Sequence, residues 1–485
     1  TILEPLDVEA IRAAATDVFK IGIRSAAVAL LHAWKNPAHE QQLAQVLREV
    51  GFEEISISSS LEPTIGLVAR AETTVVNASL QPVLSGFLSD VRTQLERGRS
   101  TPQPSDVLVM TSSGGLATSR RFHARDSLLS GPAGGVAGAV DVARAWGFNR
   151  VLSLDMGGTS TDVARYEDGH VYTREQRIGE VTLASSALDI QAVAAGGGSI
   201  CHVEDGLLEI GPRSGGADPG PACYGRGGPL CITDINLLSG RLHPDHFGIP
   251  LSQQAAEAAF NELRGQLDDD RDPDEVLDGF LGRADRRMAA ALGRVTLRQG
   301  RDPSDYVLVA FGGAGPQHAC SIADALGITR VLVPGRASVL SAQGIANSSL
   351  ERGERLQVLA PLDEIEQELP SMLAGLEEAA AREVRSSGGS GSIIPRRAIV
   401  HMRLVGQDAT IEVDWSPGCD LRGRFGDAFS SLYGHAPPGR PIEIESLHVI
   451  VGTQVSDPLR VSLPTPRPVA ESTEHRRMRC NQGWV

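Results

Sequence analysis

Thr1-Ile2-Leu3-Glu4 has neither the basic n-region nor the apolar core of a signal peptide. No uninterrupted apolar run approaches the roughly 20 residues that a membrane-spanning helix needs, so no membrane partner is expected. Cysteine is sparse. Cys201, Cys223, Cys231, Cys320, Cys419 and Cys480 are the only six, and no two of them form Cys-x-x-Cys, which argues against a disulfide scaffold or a zinc ribbon and fits a reducing, cytoplasmic setting. Positive charge is in deficit as well: a formal net charge of −15 argues against a nucleic-acid backbone as partner. What is present is globular in proportion, with 41% apolar and 22% charged residues over 485 positions. That length suggests two or three domains with sizeable cores.

The most informative stretch is Leu154-Asp155-Met156-Gly157-Gly158-Thr159-Ser160-Thr161-Asp162, behind the strand-like run Val151-Leu152-Ser153-Leu154. Glycine takes backbone angles closed to other residues, so Gly157 and Gly158 let main-chain N–H groups turn toward an anion. Thr159, Ser160 and Thr161 add hydroxyl donors. Asp155 and Asp162 add carboxylates suited to a hydrated magnesium ion or to an attacking nucleophile. A Gly-Gly pair alone predicts only a hairpin turn; nine residues in this order behind a buried-type strand predict a phosphate-binding one. No Lys follows the glycines and Gly-x-Gly-x-x-Gly is absent there, which excludes a Walker loop and a dinucleotide fingerprint.

Around this turn the chain alternates helix and strand signals. Val8 to Lys20 and Pro37 to Val50 read as helices, Ser25 to Leu31 and Ile55 to Ser59 as strands, Thr74 to Arg97 as a long helix stopped by Gly98, and Asp106 to Met110 as a strand. Ala133 to Trp146, rich in Ala, Gly and Val, suits a closely packed helix. Gln253 to Gly300 reads as helical, and Tyr306 to Phe311 and Arg330 to Val333 as strands. Beyond Leu356 come a helical stretch from Leu362 to Ser386, a flexible linker from Ser387 to Ser392, strand-like alternation from Ala398 to Val413, a helix from Asp427 to Tyr433 and a strand from Ile442 to Val451. The organisation is α/β, followed by a small α+β region.

Further glycine-rich motifs accompany the turn: Ser130-Gly131-Pro132-Ala133-Gly134-Gly135-Val136, Ala195-Gly196-Gly197-Gly198-Ser199-Ile200, the loop Gly216 to Gly225 with Pro219 and Pro221, Thr233-Asp234-Ile235-Asn236, and Ala310-Phe311-Gly312-Gly313-Ala314-Gly315-Pro316. In this order they resemble the hydantoinase A and 5-oxoprolinase family, and the Asp155 turn resembles the phosphate loop of the actin, Hsp70 and sugar-kinase superfamily. The resemblance implies actin/Hsp70-like (ribonuclease H-like) ATPase domains: an incomplete first one over residues 1–146, a second over 147–355, and a C-terminal α+β domain over 356–485. Family members usually open with another Asp-x-Gly-Gly-Thr loop, which does not precede Leu3, and residues 477–485 resemble a segment that leads onward. A fragment carrying half of a two-sided phosphate clamp is therefore the expectation.

The same resemblance implies ATP-dependent hydrolysis of a cyclic amide such as 5-oxoproline, hydantoin or N-methylhydantoin, through phosphorylation of the amide oxygen. The chain would be the A-type subunit of an oligomer, with a B-type partner and with ATP and Mg2+ as cofactors. A ketone carboxylase subunit, which shares the phosphorylation step, and a non-catalytic nucleotide-binding scaffold are the alternatives. In the main reading Asp155, Gly157, Gly158 and Thr159 hold the phosphates and magnesium, and Asp162 positions a water or orients Thr159. Gly312, Gly313, Ala314 and Gly315 resemble the adenosine-binding turn, while Phe311 reads equally as a base contact or as the buried end of a strand. Cys223, His202 and Asp234, with Cys201, are candidate ligands for a second divalent metal should they converge. Gly216 to Gly225 resembles a wall of the cleft or is a structural turn. His318 reads as a capping or packing residue, and Ser112-Ser113-Gly114-Gly115 departs from the family's Ser-Asn-Gly-Gly.

Overall fold

Every residue of Val307-Leu308-Val309-Ala310-Phe311 is apolar, the pattern of a strand covered on both faces. In the computed structural model this strand is wholly buried near the middle of a five-stranded sheet. The structure describes all residues except 1–3, 98–106, 168, 170, 174, 268–270, 299, 390, 438, 455–476, 481–482 and 485. Gly98, Asp106 and Ser390, expected at a helix stop, a strand start and a linker, lie outside the described residues. Contacts group the chain into two units: Thr1–Gly131 with Tyr172–Ala187 and Ser348–Pro458, and Pro132–Val171 with Leu188–Asn347 and Leu459–Val485.

The second unit contains the five-stranded sheet. Its strands are β1 (Arg150–Met156), β2 (Thr161–Glu167), β3 (Ile190–Val193), β4 (Val307–Phe311) and β5 (Val331–Leu332), in the spatial order β3-β2-β1-β4-β5. β3, β2 and β1 pair antiparallel, whereas β1, β4 and β5 run parallel. Leu152, Leu154 and Met156 share one face of β1. They belong to a core with Phe280, Met288 and Leu292 of helix α3 (Pro273–Leu297) and Ile322 of α4 (Gly315–Leu326). Asp155 lies on the other face, where α1 (Ser130–Ala145) meets the helix Leu340–Asn347. Their close approach depends on missing side chains, since a Cβ on Gly138 would fall 2.7 Å from the Leu340 carbonyl oxygen. The helical stretch expected from Gln253 to Gly300 is two helices, Gln253–Arg264 and α3. Pro273 opens α3 and the Asp272 side chain caps it by accepting from the Asp274 N–H.

The first unit holds a four-stranded antiparallel sheet of β6 (Glu351–Pro361), β7 (Ile393–Leu404), β8 (Ile411–Asp414) and β9 (Ile442–Thr453), ordered β6-β9-β7-β8. The helix α5 (Leu369–Ser386) contributes Leu373, Ala380 and Val384 to a core with Val400 and Leu447. In the same unit, the parallel pair Ser25–Val28 and Glu54–Ile57 lies with the helices Val8–Lys20, Ala38–Val50 and Leu67–Arg97. That last helix starts seven residues before the expected Thr74, because Arg70, polar by type, is fully buried there. Its guanidinium donates to Ser58 Oγ, Thr64 O and Leu30 O. Glu40, also fully buried, accepts from Leu30 N, Ser58 Oγ and Ser59 N.

A buried guanidinium that satisfies Ser58, Thr64 and Leu30 leaves these acceptors stranded when removed. Arg70→Met is expected to cost about 3–5 kcal/mol, read as a lower midpoint in urea denaturation. A midpoint equal to that of the parent would show that the network contributes nothing net.

Candidate nucleotide-binding site

The β1–β2 hairpin closes through Gly157–Ser160, with the Gly157 N–H donating to Ser160 O at 3.0 Å. A second segment, Gly196–Gly198, lies directly against this turn. Gly197 N donates to Gly157 O at 3.0 Å and Gly198 N to Gly158 O at 2.6 Å. A trans peptide holds its C=O and N–H on opposite sides. With the carbonyls of Gly157 and Gly158 aimed at the Gly196–Gly198 shelf, the N–H groups of Gly158 and Thr159 therefore point away from it. They donate to no acceptor among the described residues, and both residues are exposed. Two adjacent outward amides are free to donate to an anion.

The expected reason for the glycines needs correction. Neither Gly157 nor Gly158 has a positive φ, and a Cβ on Gly158 would meet nothing within 4 Å. The fold itself does not require glycine at Gly158. It does require it in the shelf, where a Cβ on Gly196 would lie 2.6 Å from Thr159 C and 2.7 Å from Ser160 N. The sequence signal for this role was present as three consecutive glycines, but their partner was not legible.

The turn Gly312–Gly315 reaches the same place from β4. Gly312 has φ +79°, and its Cβ would fall 2.5 Å from both Asp155 Oδ1 and the Met156 carbonyl oxygen. Ala314 N donates to Met156 O at 3.0 Å and Gly312 N to Ala337 O at 3.0 Å. Gly313 is exposed with open space at its Cβ position, and Gly315 and Pro316 begin α4. The two glycine turns thus converge on the C-terminal end of β1, as a shared ligand requires.

Asp155 stands opposite Asp162 in the β1–β2 register. Burial, with the neighbouring Asp155 charge adding to it, pushes the Asp162 carboxyl up to about 6. Burial likewise raises Asp155, opposed by a 3.3 Å hydrogen bond from Ser341 Oγ. Neither has a salt-bridge partner among the described residues. Two carboxylates on adjacent strands, short of counter-charge and flanked by hydroxyls, fit a hard divalent cation such as Mg2+.

The hydantoinase/oxoprolinase family model matches residues 70–353, more than half of the chain, and that of the hydantoinase/oxoprolinase N-terminal region matches residues 1–51. The chain belongs to the hydantoinase/oxoprolinase family. The 5-oxoprolinase PfmaA of Pestalotiopsis fici is 35% identical over 512 aligned residues, which cover 100% of this chain and 39% of that protein. The chain thus spans about two fifths of the length of this relative. The caprolactamase subunit alpha of Pseudomonas jessenii is 30% identical over 487 residues, 95% of this chain and 69% of the relative. A crystal structure of the ATP-dependent caprolactamase from Pseudomonas jessenii matches with a TM-score of 0.86 at 29% identity, covering 99% of this chain and 72% of that one. The α/β, actin/Hsp70-like ATPase architecture expected from the sequence is the one this family member has.

Other expected site residues take structural places. Phe311 is buried and its ring would be 2.9 Å from a Cβ on Gly135 of α1, so it packs in the interior and is not a base contact. Cys223, His202 and Asp234 do not form a metal site: among the described residues no three His, Cys, Asp or Glu are grouped to hold a metal ion. Asp234 is saturated instead. It accepts from the N–H groups of Ala222 (3.1 Å), Cys223 (2.7 Å) and Cys231 (2.7 Å), so it pins the Gly216–Gly225 loop to the helix α2 (Ile232–Leu238). Burial and the adjacent Asp234 push the Cys223 thiol up, the wrong direction for a thiolate ligand. His202 is one residue along from Cys201 on the strand Ser199–Glu204 and so faces the other side. His318, read from the sequence as a capping or packing residue, is fully buried and packs between helices. Its Nδ1 lies 2.6 Å from Asp285 Oδ1 and its Nε2 3.1 Å from Asn236 Nδ2, joining α2, α3 and α4.

Two predictions follow from the glycines and the carboxylates. Gly196→Ala places a methyl against main chain that cannot yield and is expected to cost about 2–3 kcal/mol, whereas Gly158→Ala should change stability by less than about 0.5 kcal/mol yet weaken ADP binding. Differential scanning fluorimetry with calorimetric titration separates the two; equal destabilisation would refute the shelf. For Asp162, the folded protein retains a proton up to about pH 6 that an unfolded Asp releases near 3.8, so this group's contribution to stability falls as pH rises through that window. Asp162→Asn should therefore be more stable than the parent above pH 6, by about 1–3 kcal/mol, with the gap closing toward pH 4. Melting curves across pH in EDTA would show it, and a gap independent of pH would overturn the assignment.

Proposed function

We propose that this chain is the nucleotide-binding, A-type part of an ATP-dependent cyclic amide hydrolase. The observation that carries the reading is the convergence of the Gly157–Ser160 and Gly312–Gly315 turns on Asp155. In this proposal the outward amides of Gly158 and Thr159 take phosphate oxygens. Asp155 and Asp162 hold hydrated Mg2+, which neutralises phosphate charge when bound, and Gly312, Gly313, Ala314 and Gly315 leave room for adenosine against backbone. Asp162 has the further task of positioning water or orienting Thr159.

The chemistry needs activation because the ring nitrogen donates into the carbonyl. Transfer of the γ-phosphoryl group to the amide oxygen forms a P–O bond there as the bond to the β-phosphate oxygen breaks, releasing ADP. Water then adds to the activated carbon, the ring C–N bond breaks as the nitrogen takes up a proton and leaves as the amine, and a second water hydrolyses the resulting acyl phosphate to carboxylate and phosphate. The names of the relatives support this class of substrate, 5-oxoproline for one and caprolactam for the other, and a relative described as an alpha subunit supports a separate B-type partner. A ketone carboxylase would share only the first step.

The test is phosphate release from Mg-ATP by the 485-residue chain, alone and with a B-type partner, in the presence of 5-oxoproline, caprolactam, hydantoin, or a ketone with bicarbonate. Stimulation by one cyclic amide is the expected outcome; stimulation by the ketone alone would overturn the hydrolase reading. Asp155→Asn should lower metal-dependent turnover by about 100-fold or more while moving the melting temperature little, and a fully active variant would remove Asp155 from the metal site.

A further inference from the structure

The first unit contains a second polar site, a cavity of about 650 Å³ whose lining lies entirely within that unit. This volume is in the range of small-molecule sites. Most of its charges are matched internally. Arg355 pairs with Glu62 at 2.8 Å, Arg125 reaches Glu62 at 3.5 Å, and Arg121 pairs with Glu383. Arg352 and Glu354 are less completely matched. Arg352 donates through Nη1 to the Glu351 carbonyl oxygen at 2.8 Å, but its buried Nη2 has no hydrogen-bond partner among the described residues. The Glu354 side chain makes no hydrogen bond or close ion pair among the described residues, and burial together with Glu383 raises its proton affinity against the pull of Arg352.

Arg352 and Glu354 are two residues apart on β6, so both side chains stand on one face of the strand with Cα atoms about 6–7 Å apart. Both line the cavity. An unpartnered buried guanidinium N–H is costly, and beside it stands a carboxylate with spare acceptor capacity. A single anion would satisfy the first and be repelled by the second. A molecule carrying a carboxylate and an ammonium satisfies both.

We propose that this cavity binds a zwitterionic amino acid, its carboxylate on Arg352 and its ammonium on Glu354. The choice of ligand class rests on the proposed hydrolysis, because opening a cyclic amide leaves an amine and a carboxylate on one molecule. The cavity is thus a site for the ring-opened product class.

Calorimetric titration of the full chain, without nucleotide, tests this with 6-aminohexanoate and glutamate as probes and with hexanoate and hexylamine as singly charged controls. At least one zwitterion should bind saturably and more tightly than either control. Arg352→Gln and Glu354→Gln should each weaken it by about tenfold to a hundredfold, with melting temperatures near that of the parent. Should Arg352→Gln fail to fold, the near-isosteric Glu354→Gln decides. Absence of binding by both zwitterions, equal binding of a control, or parental affinity in the folded variants would overturn the site. Because no ATP is present, such a result leaves the phosphate-release assay untouched; loss of substrate-stimulated phosphate release with zwitterion binding intact would instead overturn the hydrolase reading.

Discussion

Everything at the candidate nucleotide site depends on main chain meeting main chain with no side chain between. The Gly196–Gly198 segment binds the inward carbonyls of Gly157 and Gly158, and that contact turns the next amides outward. A cradle held this way does not need to reorganise when an anion arrives, which is where preorganised dipoles are most effective. The shelf is itself held from behind. Thr233 donates to Gly197 O through both its N–H (2.7 Å) and its Oγ1 (2.8 Å), and the next residue, Asp234, gathers three N–H groups from the neighbouring loop. The path from a saturated carboxylate to an exposed phosphate-type turn is a few backbone bonds long.

The site's charged groups divide by whether the protein supplies a counterpart. Asp285 and His318 face each other at 2.6 Å inside the helical layer, joining two helices and orienting the one that begins at Gly315. Asp155 and Asp162 face each other without such help, so burial raises both carboxyls and folding bears a cost there. Asp234 is the third case, a carboxylate saturated by backbone donors. Four aspartates in one unit therefore serve three purposes, told apart only by what surrounds them.

Much of the fold was legible because local patterns carry it. The helix Val8–Lys20 has the expected ends, the apolar run at Val307 predicted a buried strand, and the order of glycine motifs pointed to the ATPase family. The two glycine turns were placed correctly as partners. What was not legible involved partners distant in sequence. Gly157 and Gly158 looked like residues chosen for their backbone angles, yet the steric demand belongs to Gly196 and Gly312, whose neighbours come from other strands. Cys223, His202 and Asp234 looked like metal ligands because residue type says nothing about the three amides that saturate Asp234 or about the side of the strand on which His202 stands. Arg70 appears surface-like in sequence, but its acceptors lie on loops around Leu30 and Thr64.

The first unit is discontinuous: its sheet begins at Glu351, while its parallel strand pair was already complete by Ile57. During synthesis the early segment must wait for almost three hundred residues before β6 appears, and longer for the central strand β9, which ends at Thr453. The glycine-turn sheet, complete at Leu332, has all its strands in hand earlier. Translation thus presents the five-stranded layer as the first large sheet with all its strands in hand, while the four-stranded sheet must wait for β9, a span over which non-local closure is slow.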